Sequence, residues 1–375
     1  MSPIYVFAAG GTGGHLFPAE AVARLLVAHG GTVHLLTDRR ADAFAASVPG
    51  VTIDLVRAGR LGGGPLNAAY GLAELAVGVV QARRLLRRLA PVAAVGFGGY
   101  PSVPTMLAAA QLGLPTLIHE QNAVFGRANR LLAPRARRIA TGFPATLGLR
   151  QADRARAVHT GNPVRAAIRA VGTGPYAPPN AAIELLVIGG SQGAHVLGEI
   201  VPPALGQLPV TMSARLRVSQ QARPEDKDTV AARYRELGID AEIESFFDDM
   251  PARLRRAHLV ICRAGASTVA ELAAAGRPAL LVPYPHAMDD HQTANATQFA
   301  AAGGGWAIPQ TEFTPASLTQ RLAALFADPA TLTAAAAASR GFARDDAAEH
   351  LAGLVQSLVH GGNGSLGGGP LERAA

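Results

Sequence analysis

The chain has 375 residues, 49% of them apolar, with a formal net charge of +7 and a pI near 10.2. This length is large for one compact core and suits two domains of ordinary size. The basic charge indicates a polyanionic partner: a nucleic acid, an anionic lipid or a phosphorylated substrate. Aromatic residues make up only 5% of the chain and do not interleave with the basic clusters, which argues against a nucleic acid.

Cysteine content and hydropathy indicate the location of the protein. The single cysteine, Cys262, excludes an internal disulfide, fits a reducing compartment and is typical of a small buried apolar residue. The N-terminus lacks the basic and long apolar regions of a signal peptide, and no segment is long and apolar enough to span a bilayer. We therefore expect a cytoplasmic protein that touches a membrane from one side at most.

Short apolar runs alternate with helix-length amphipathic stretches along the chain, as in βαβ units with a parallel sheet. In the first half the pattern predicts strands at Ile4–Ala8, Val33–Leu36, Ala93–Val95, Thr116–Ile118 and Arg138–Ala140. In the second half it predicts strands at Glu184–Ile188, Ala214–Val218, Glu242–Ser245, Leu259–Cys262 and Ala279–Val282. The fold class is therefore α/β, with a doubly wound architecture used twice.

A region rich in glycine and proline, Gly161–Asn180, separates the two halves and should contain the boundary between them. We assign residues 1–163 to the first domain and 164–340 to the second. A helix is expected over 341–359, and it could pack across either domain. The glycine-rich segment 360–375 is expected to be disordered.

A glycine-rich turn, Gly10-Gly-Thr-Gly-Gly14, follows the first predicted strand. Glycines let the backbone approach a phosphate, and the N–H groups and dipole of the next helix favour an anion. The spacing does not match the dinucleotide fingerprint G-x-G-x-x-G, because Leu16 stands three residues after Gly13. His15 could take a proton from an acceptor hydroxyl, or it could be a loop histidine that bonds the backbone.

Two further motifs follow strands in the first half. The cluster Gly96–Ser102 is either a plain tight turn or, together with the first turn, part of a site for a diphosphate-sized anion. His119–Asn122 places four polar residues at another strand end, where such runs line a cleft more often than they fill a core. Glu120 is therefore a rival of His15 as general base.

The second half repeats the phosphate-turn pattern at Gly189–Ala194. Later, Arg263–Glu271 places small residues at a helix N-terminus and a carboxylate one to two turns further on. Glu271 is either a solvated helix position or a ligand of a ribose diol, and its place behind an anion site favours the ribose. Asp289–His291 lacks the spaced Asp-x-Asp of metal-dependent sugar-nucleotide sites, so we expect no obligatory protein-held metal.

A basic amphipathic stretch, Leu72–Leu89, indicates a helix that could meet a membrane. Its C-terminal part carries four arginines, Arg83, Arg84, Arg87 and Arg88. Such a helix could contact anionic headgroups or could be an ordinary packed surface helix, and the sequence favours neither.

In this order, the motifs resemble those of the MurG family, the bacterial N-acetylglucosaminyltransferases of peptidoglycan synthesis, over nearly the whole chain. The resemblance rests on Gly10–Pro18, Gly96–Ser102, His119–Asn122, Gly161–Arg165, Gly189–Ala194, Arg263–Glu271 and Asp290–Gln292. It implies the GT-B fold, in which two Rossmann-like domains with parallel sheets face an interdomain cleft. The first domain would bind the lipid acceptor and face the membrane, and the second would bind UDP-GlcNAc.

The resemblance also implies a reaction. The enzyme would move N-acetylglucosamine, with inversion, from UDP-GlcNAc to the C4 hydroxyl of MurNAc in undecaprenyl-pyrophosphoryl-MurNAc-pentapeptide (lipid I), forming the β-1,4 linkage of lipid II. No cofactor would be required, since UDP-GlcNAc is a substrate. The enzyme would be peripheral on the cytoplasmic face of the bacterial inner membrane. Its partners would be UDP-GlcNAc, lipid I, anionic lipids and other cell-wall and division proteins, with no nucleic acid.

The resemblance further assigns roles to residues at the cleft. Donor-binding residues would be Thr12, Gly13, Gly14, Asn122, Arg165, Ser191, Phe247, Ala266, Ser267, Thr268, Val269, Glu271, His291 and Gln292. Arg165 and Ser191 would face the diphosphate, and Glu271 would hold the ribose. The acceptor-binding residues would be Gly98, Gly99 and Tyr100. His15 is the leading candidate for the catalytic base, with Glu120 as its rival.

Three alternatives stay open. Another GT-B enzyme could move a different sugar onto a different acceptor, because the fold hosts many activities. A nucleotide-dependent oxidoreductase would bind NAD rather than UDP. A non-catalytic sugar-nucleotide sensor or membrane scaffold would bind the UDP-sugar without turnover.

Overall fold

The computed structural model describes residues 2–10, 13–38, 49–59, 64–190 and 193–359. The first half of the chain contains β1 (Ile4–Ala8), α1 (Gly13–Ala28), β2 (Thr32–Thr37), β3 (Val51–Leu55), α2 (Pro65–Leu89), β4 (Ala93–Gly96), α3 (Ser102–Gln111), β5 (Thr116–Glu120), α4 (Arg127–Leu132), β6 (Arg138–Thr141), α5 (Gln151–Arg154), β7 (Ala157–His159) and α6 (Ala166–Arg169). The second half contains β8 (Ile183–Ile188), α7 (His195–Gly206), α8 (Val210–Ser213), β9 (Leu216–Gln221), α9 (Lys227–Glu236), β10 (Asp240–Glu244), α10 (Met250–Arg256), β11 (Leu259–Cys262), α11 (Ala266–Ala275), β12 (Ala279–Leu281), α12 (His291–Ala301), β13 (Gly305–Ala307), α13 (Pro315–Ala327), α14 (Pro329–Phe342) and α15 (Ala347–Val359).

The strands of the described ranges form two parallel sheets, one of seven strands and one of six. Their orders are β3-β2-β1-β4-β5-β6-β7 and β10-β9-β8-β11-β12-β13. The order reverses between β1 and β4 in the first sheet and between β8 and β11 in the second. Open α/β sheets bind ligands at such points, outside the carboxyl ends of the strands. The predicted pair of Rossmann-like α/β domains is confirmed, and its two reversal points define where a site can lie.

Both sheets are buried on both faces. In β1, Phe7 packs into the core under α1, while its neighbours Val6 and Ala8 pack into the core on the opposite face. In β8, Val187 and Leu186 likewise enter two different cores. Successive side chains of a strand point to opposite faces, so strands covered on both faces are continuous apolar runs in the sequence.

Three short strands lie outside the runs that the sequence predicted: β3, β7 and β13. Each of them forms the edge of a sheet. All three residues of β7 are half-buried, and β3 has three half-buried and two exposed residues, none of them fully buried. An edge strand has one neighbour and partial cover, so it carries no continuous apolar signal. The ten predicted strands are all present, with ends shifted by a few residues.

The chain returns to the first domain at its last described helix. α14 packs on α11 in the second domain, whereas α15 packs on α1. Leu351, Leu354, Val355 and Leu358 of α15 join the core that contains Phe7. No single helix of the described ranges is long and apolar enough to cross a membrane. Helix α13 and residues 329–359 meet the criteria of length and composition only when they are taken as one span, and that span is bent by 94°.

The return of α15 to the first domain yields a stability prediction. Leu351 is fully buried in the shared core. Leu351→Ala should therefore lower the free energy of unfolding by about 2–5 kcal/mol, as large-to-small core substitutions do. Gly353→Ala is the matched control, because a Cβ there meets nothing within 4 Å and alanine favours the helix. Denaturant unfolding checks both; equal stability of the Leu351 variant and the wild type would contradict the packing.

Candidate active site

Two glycine-rich turns lie side by side where β1 and β4 end. The Gly10 N–H donates to the Gly98 carbonyl at 3.1 Å, and the Phe97 N–H donates to the Ala8 carbonyl at 2.7 Å. Gly98 and Gly99 have φ of +86° and +76°, and a Cβ on Gly99 would lie 3.1 Å from the Gly10 Cα. Only glycine permits this backbone conformation and this approach. Two loops distant in sequence therefore form one wall of the crevice.

His15 lies in the first turn of α1 and its ring rests against this wall. A Cβ on Gly98 would lie 3.2 Å from His15 Nδ1 and Cε1, and a Cβ on Gly10 would lie 3.3 Å from Cδ2. His15 Nδ1 is 3.2 Å from Gln121 Oε1. Burial lowers the pKa of His15, outweighing the nearby Glu120 carboxylate. The imidazole is therefore neutral at neutral pH, the form that can accept a proton.

The polar run at the end of β5 does not line the cleft as expected. His119, Glu120 and Gln121 are buried, and only Asn122 is half-exposed. The Glu120 carboxylate accepts hydrogen bonds from the Asn122 N–H at 3.1 Å, the Gly126 N–H at 2.8 Å and the Asn129 side-chain amide at 2.8 Å. A buried carboxylate is tolerated when such donors surround it. Glu120 therefore holds the loop that leads into α4.

Asn295 of α12 joins the two domains beside Asn122. Its Oδ1 accepts the Ala123 N–H at 2.8 Å, and its Nδ2 donates to the Ala264 carbonyl at 3.0 Å and to Asn122 Oδ1 at 3.2 Å. Asn295 is fully buried. Its role is not visible in the local sequence, because its partners lie far away in the chain.

The crevice of the second sheet contains the start of α11. The helix begins after Gly265, without a side-chain cap, and its first turn is Ala266–Val269. Backbone N–H groups of a first helical turn have no intrahelical acceptor and favour an anion. Gln292 Oε1 accepts the N–H groups of Ala264 and Tyr284, at 3.2 and 3.0 Å, so it fixes the two loops on either side of this helix end.

Arg165 and Glu271 form an ion pair at the same crevice. Arg165 Nη2 lies 2.9 Å from Glu271 Oε1, and its guanidinium carbon lies 5.3 Å from the centre of the Phe17 ring. Burial raises the pKa of Glu271, and Arg165 opposes that shift. The pair brings together the residues expected to face a diphosphate and a ribose. Both bonds from Arg165 go to Oε1, which leaves Oε2 unbonded to that guanidinium.

His291 and Gln292 begin α12, after a turn in which Asp289 and Asp290 adopt φ of +53° and +51°. His291 Nδ1 lies 2.8 Å from the Met288 carbonyl, which can only accept, so that nitrogen carries the proton. Asp289 accepts from Arg127 Nη2 of the first domain at 2.8 Å. His291 is also close enough to His15 to lower its pKa. The start of α12 therefore faces the α1 turn across the cleft.

Of the remaining expected site residues, Gly13 and Gly14 begin α1 and Phe247 precedes α10. The Phe247 ring is buried under the Arg253 guanidinium at 3.8 Å, and Arg253 in turn pairs with Glu242 and Asp249. Tyr100 follows the Gly98–Gly99 turn. Thr12 and Ser191 lie outside the residues that the structure describes. Among the described residues no group of three or more His, Cys, Asp or Glu side chains could hold a metal ion; the absence of a protein-held metal stays a prediction.

Models of both domains of one enzyme family match this chain. The glycosyltransferase family 28 N-terminal domain matches residues 5–141, and the glycosyltransferase family 28 C-terminal domain matches residues 184–351. The chain is 56% identical over 366 residues to the UDP-N-acetylglucosamine–N-acetylmuramyl-(pentapeptide) pyrophosphoryl-undecaprenol N-acetylglucosamine transferase of Rhodospirillum centenum, covering 97% of this chain and 96% of the relative. It is 47% identical to the enzyme of the same name from Agrobacterium fabrum, covering 96% and 95%.

Solved structures agree with the sequence relatives. The chain is similar to the crystal structure of MurG from Acinetobacter baumannii, with a TM-score of 0.78 and 33% identity over 95% of this chain and 99% of that one. It also shares its fold with the calicheamicin glycosyltransferase CalG4, with a TM-score of 0.67 and 17% identity over 97% and 100% of the two chains. The second likeness concerns the fold alone.

The position of Asn295 predicts a loss of stability on substitution. Asn295→Ala would leave the buried Ala123 N–H and the Ala264 carbonyl without partners, so we expect about 1–3 kcal/mol of destabilisation for each orphaned group. Thr297→Ala, an exposed position on the same helix, is the control and should change stability by about 0.5 kcal/mol or less. Thermal unfolding measures both. Equal melting temperatures for the two variants would contradict an interdomain role of Asn295.

Proposed function

The chain belongs to glycosyltransferase family 28 and, within it, to the MurG N-acetylglucosaminyltransferases, and we propose how its residues carry out the reaction of that family. The reaction transfers N-acetylglucosamine from UDP-GlcNAc to the C4 hydroxyl of MurNAc in lipid I and yields lipid II. The observation that carries the proposal is the placement of a neutral His15 at the reversal point of the first sheet, facing the start of α12. Phe17 of the same helix contacts Arg165, which pairs with Glu271 of α11.

In the proposed mechanism, His15 acts as general base in a single displacement with inversion. Its imidazole takes the proton of the C4 hydroxyl while that oxygen forms a bond to C1 of N-acetylglucosamine. The bond from C1 to the phosphate oxygen breaks, and UDP leaves with the electron pair. A base placed within hydrogen-bond reach contributes about 100-fold to 10,000-fold to such a step.

The leaving group is stabilised by groups of the chain itself. Negative charge develops on UDP as the glycosidic bond breaks, and the first turn of α11 offers backbone N–H groups and the positive end of a helix dipole. Arg165 adds a full positive charge beside them. Glu271 accepts the ribose hydroxyls with the oxygen that Arg165 does not use. This arrangement supports catalysis without a cofactor.

His15 is favoured over Glu120 as the base by the hydrogen bonds of each. The two Glu120 oxygens already accept bonds from the loop that they hold, so a proton taken there would break a buried network. His15 uses one ring nitrogen for Gln121, and its Nε2 has no partner among the described residues. That nitrogen is available to the acceptor.

We propose that α2 is the membrane-facing surface. One face of the helix is buried, with Ala82 and Leu86 in the core of the first domain. The N-terminal half of the helix exposes Tyr70 and Leu72, which are 70% and 59% accessible. The arginines of its last turns are exposed too: Arg83, Arg84, Arg87 and Arg88. Exposed apolar residues followed by a basic cluster suit insertion at an anionic lipid surface.

Product formation and turnover of two variants test the proposed reaction. The wild-type protein should convert UDP-GlcNAc and a short-chain lipid I analogue into a β-1,4-linked disaccharide product. His15→Ala should lower kcat by about 100-fold or more and keep the melting temperature. Glu120→Gln should mainly lower the melting temperature, because an amide in place of the carboxylate opposes a buried donor at a cost of about 1–3 kcal/mol.

The control for these variants is His29→Ala, an exposed histidine just beyond the other end of α1, which should turn over like the wild type. No disaccharide from the wild-type protein would refute the proposed reaction. Near-normal turnover of His15→Ala, with a Glu120→Gln variant that is stable but inactive, would instead make Glu120 the base.

Vesicle binding tests the proposed role of α2. Replacing the four exposed arginines of α2 by glutamate should abolish sedimentation with vesicles that contain phosphatidylglycerol, since each basic residue near the surface contributes about 1 kcal/mol. The control variant carries the same charge change on exposed arginines of the second domain: Arg235, Arg255, Arg256 and Arg321. Equal loss of binding in both variants would show that net charge, rather than α2, drives the association.

A further inference from the structure

Gln121 connects two histidines beneath the cleft. Its Oε1 lies 3.2 Å from His15 Nδ1, and its Nε2 lies 3.2 Å from His119 Nδ1 and 2.8 Å from the Phe97 carbonyl. The other nitrogen of His119, Nε2, lies 3.3 Å from the carbonyl of Gly161. A continuous chain of hydrogen bonds thus runs from the segment between the domains to the histidine of the α1 turn.

Backbone carbonyl groups fix the position of every proton in this chain of hydrogen bonds. A carbonyl only accepts, so His119 Nε2 must carry the proton that it donates to Gly161. Burial lowers the pKa of His119 to about 4, so its ring is neutral and its Nδ1 is an acceptor. The amide nitrogen of Gln121 then donates one hydrogen to His119 and the other to the Phe97 carbonyl.

The remaining atom of the amide determines the proton position on His15. A flipped amide would place Gln121 Oε1 against the Phe97 carbonyl and the His119 Nδ1 lone pair, which are both acceptors. Oε1 therefore faces His15, and since an amide oxygen only accepts, His15 Nδ1 must carry the hydrogen. In a neutral ring this leaves the lone pair on Nε2.

We propose that Gln121 is a positioning residue of the transfer reaction: it holds His15 in the Nδ1–H tautomer, so that Nε2 is the basic nitrogen presented to the acceptor hydroxyl. This role rests on the proposed function of His15 as the base. A wrong tautomer would present a hydrogen instead of a lone pair and could not take the proton. The amide does for His15 what a carboxylate does in other histidine bases, without adding a charge.

The charged and titratable groups around His15 agree with a neutral amide at this position. Glu120 raises the pKa of His15, and His291, across the cleft, lowers it. Burial has the largest effect: it lowers the pKa of His15 by more than Glu120 raises it, and so keeps the ring neutral. A carboxylate in place of Gln121 would add a second negative charge and favour the protonated ring, which is inactive as a base.

The tautomer can be observed directly. Two-bond ¹⁵N–¹H NMR spectra of the protein labelled at histidine, with His15 assigned by a His15→Gln variant, should show a protonated Nδ1 and an unprotonated Nε2. Gln121→Leu should lose this single tautomer. A wild-type His15 protonated on Nε2 would overturn the positioning role, and so would an unchanged tautomer in Gln121→Leu.

Kinetics provide a second and independent readout. Gln121→Leu should lower kcat by about tenfold or more with UDP affinity unchanged, because the proposed contacts of the UDP diphosphate and ribose, Arg165, Glu271 and the first turn of α11, do not include Gln121. Gln121→Glu should move the acidic limb of the kcat/KM profile to higher pH, since the added charge stabilises imidazolium. Gln121→Leu should move it to lower pH, since the lost bond favoured the protonated ring. Equal acidic limbs in both variants would reduce Gln121 to a structural residue.

Gln220→Leu is the matched control, because Gln220 is a fully buried glutamine at the end of β9, bonded to the Tyr234 hydroxyl. It should lose stability without any change in tautomer or pH profile. Circular dichroism verifies that each variant is folded before its kinetics are compared. Absence of transfer by the wild-type protein would overturn the proposed function, whereas transfer with His15 protonated on Nε2 would overturn the role of Gln121 alone.

Discussion

The hydrogen bond between the Gly10 N–H and the Gly98 carbonyl is the contact on which the His15 side of the cleft depends. It holds the ends of β1 and β4 together at the point where the first sheet reverses. The positive φ of Gly98 and Gly99 and the missing side chain of Gly10 permit this approach. The His15 ring fills the space beside these three glycines. A side chain at any of them would press on the imidazole or on the facing backbone, so the glycines position the His15 ring as directly as its hydrogen bond with Gln121 does.

The two halves of the chain use one topology for two different tasks. At the second reversal point a helix start with open N–H groups, together with Arg165, suits the charge of a diphosphate leaving group. At the first, the glycine turns enclose a titratable ring. Asn295 joins the two, since one amide bonds a loop of each domain. The two glycine-rich turns therefore look alike in the sequence, but the roles proposed for the two halves differ.

The sequence predicted the fold well and the burial of single site residues less well. Buried strands such as β1 and β8 are continuous apolar runs because helices cover both faces of their sheets, whereas the edge strands β3, β7 and β13 are partly covered and give no such signal. Glycine turns at strand ends predicted where the cleft lies. The polarity of His119, Glu120 and Gln121 suggested exposure, yet all three are buried, because their partners at Phe97, Gly126 and Gly161 are not visible in the local pattern.

The burial of this polar run is a conflict between local sequence and tertiary structure, and such conflicts concentrate at functional sites. Apolar residues at the end of β5 would cover the sheet at lower cost, since buried polar groups need every hydrogen bond satisfied. Glu120 meets that demand with the loop before α4, and His119 and Gln121 meet it with two backbone carbonyls. Those carbonyls belong to β-strand ends and to the segment between the domains, so they cannot reorient as a side chain could. In the proposed chain of hydrogen bonds, the fixed backbone therefore determines which nitrogen of His15 is free to act as the proposed base.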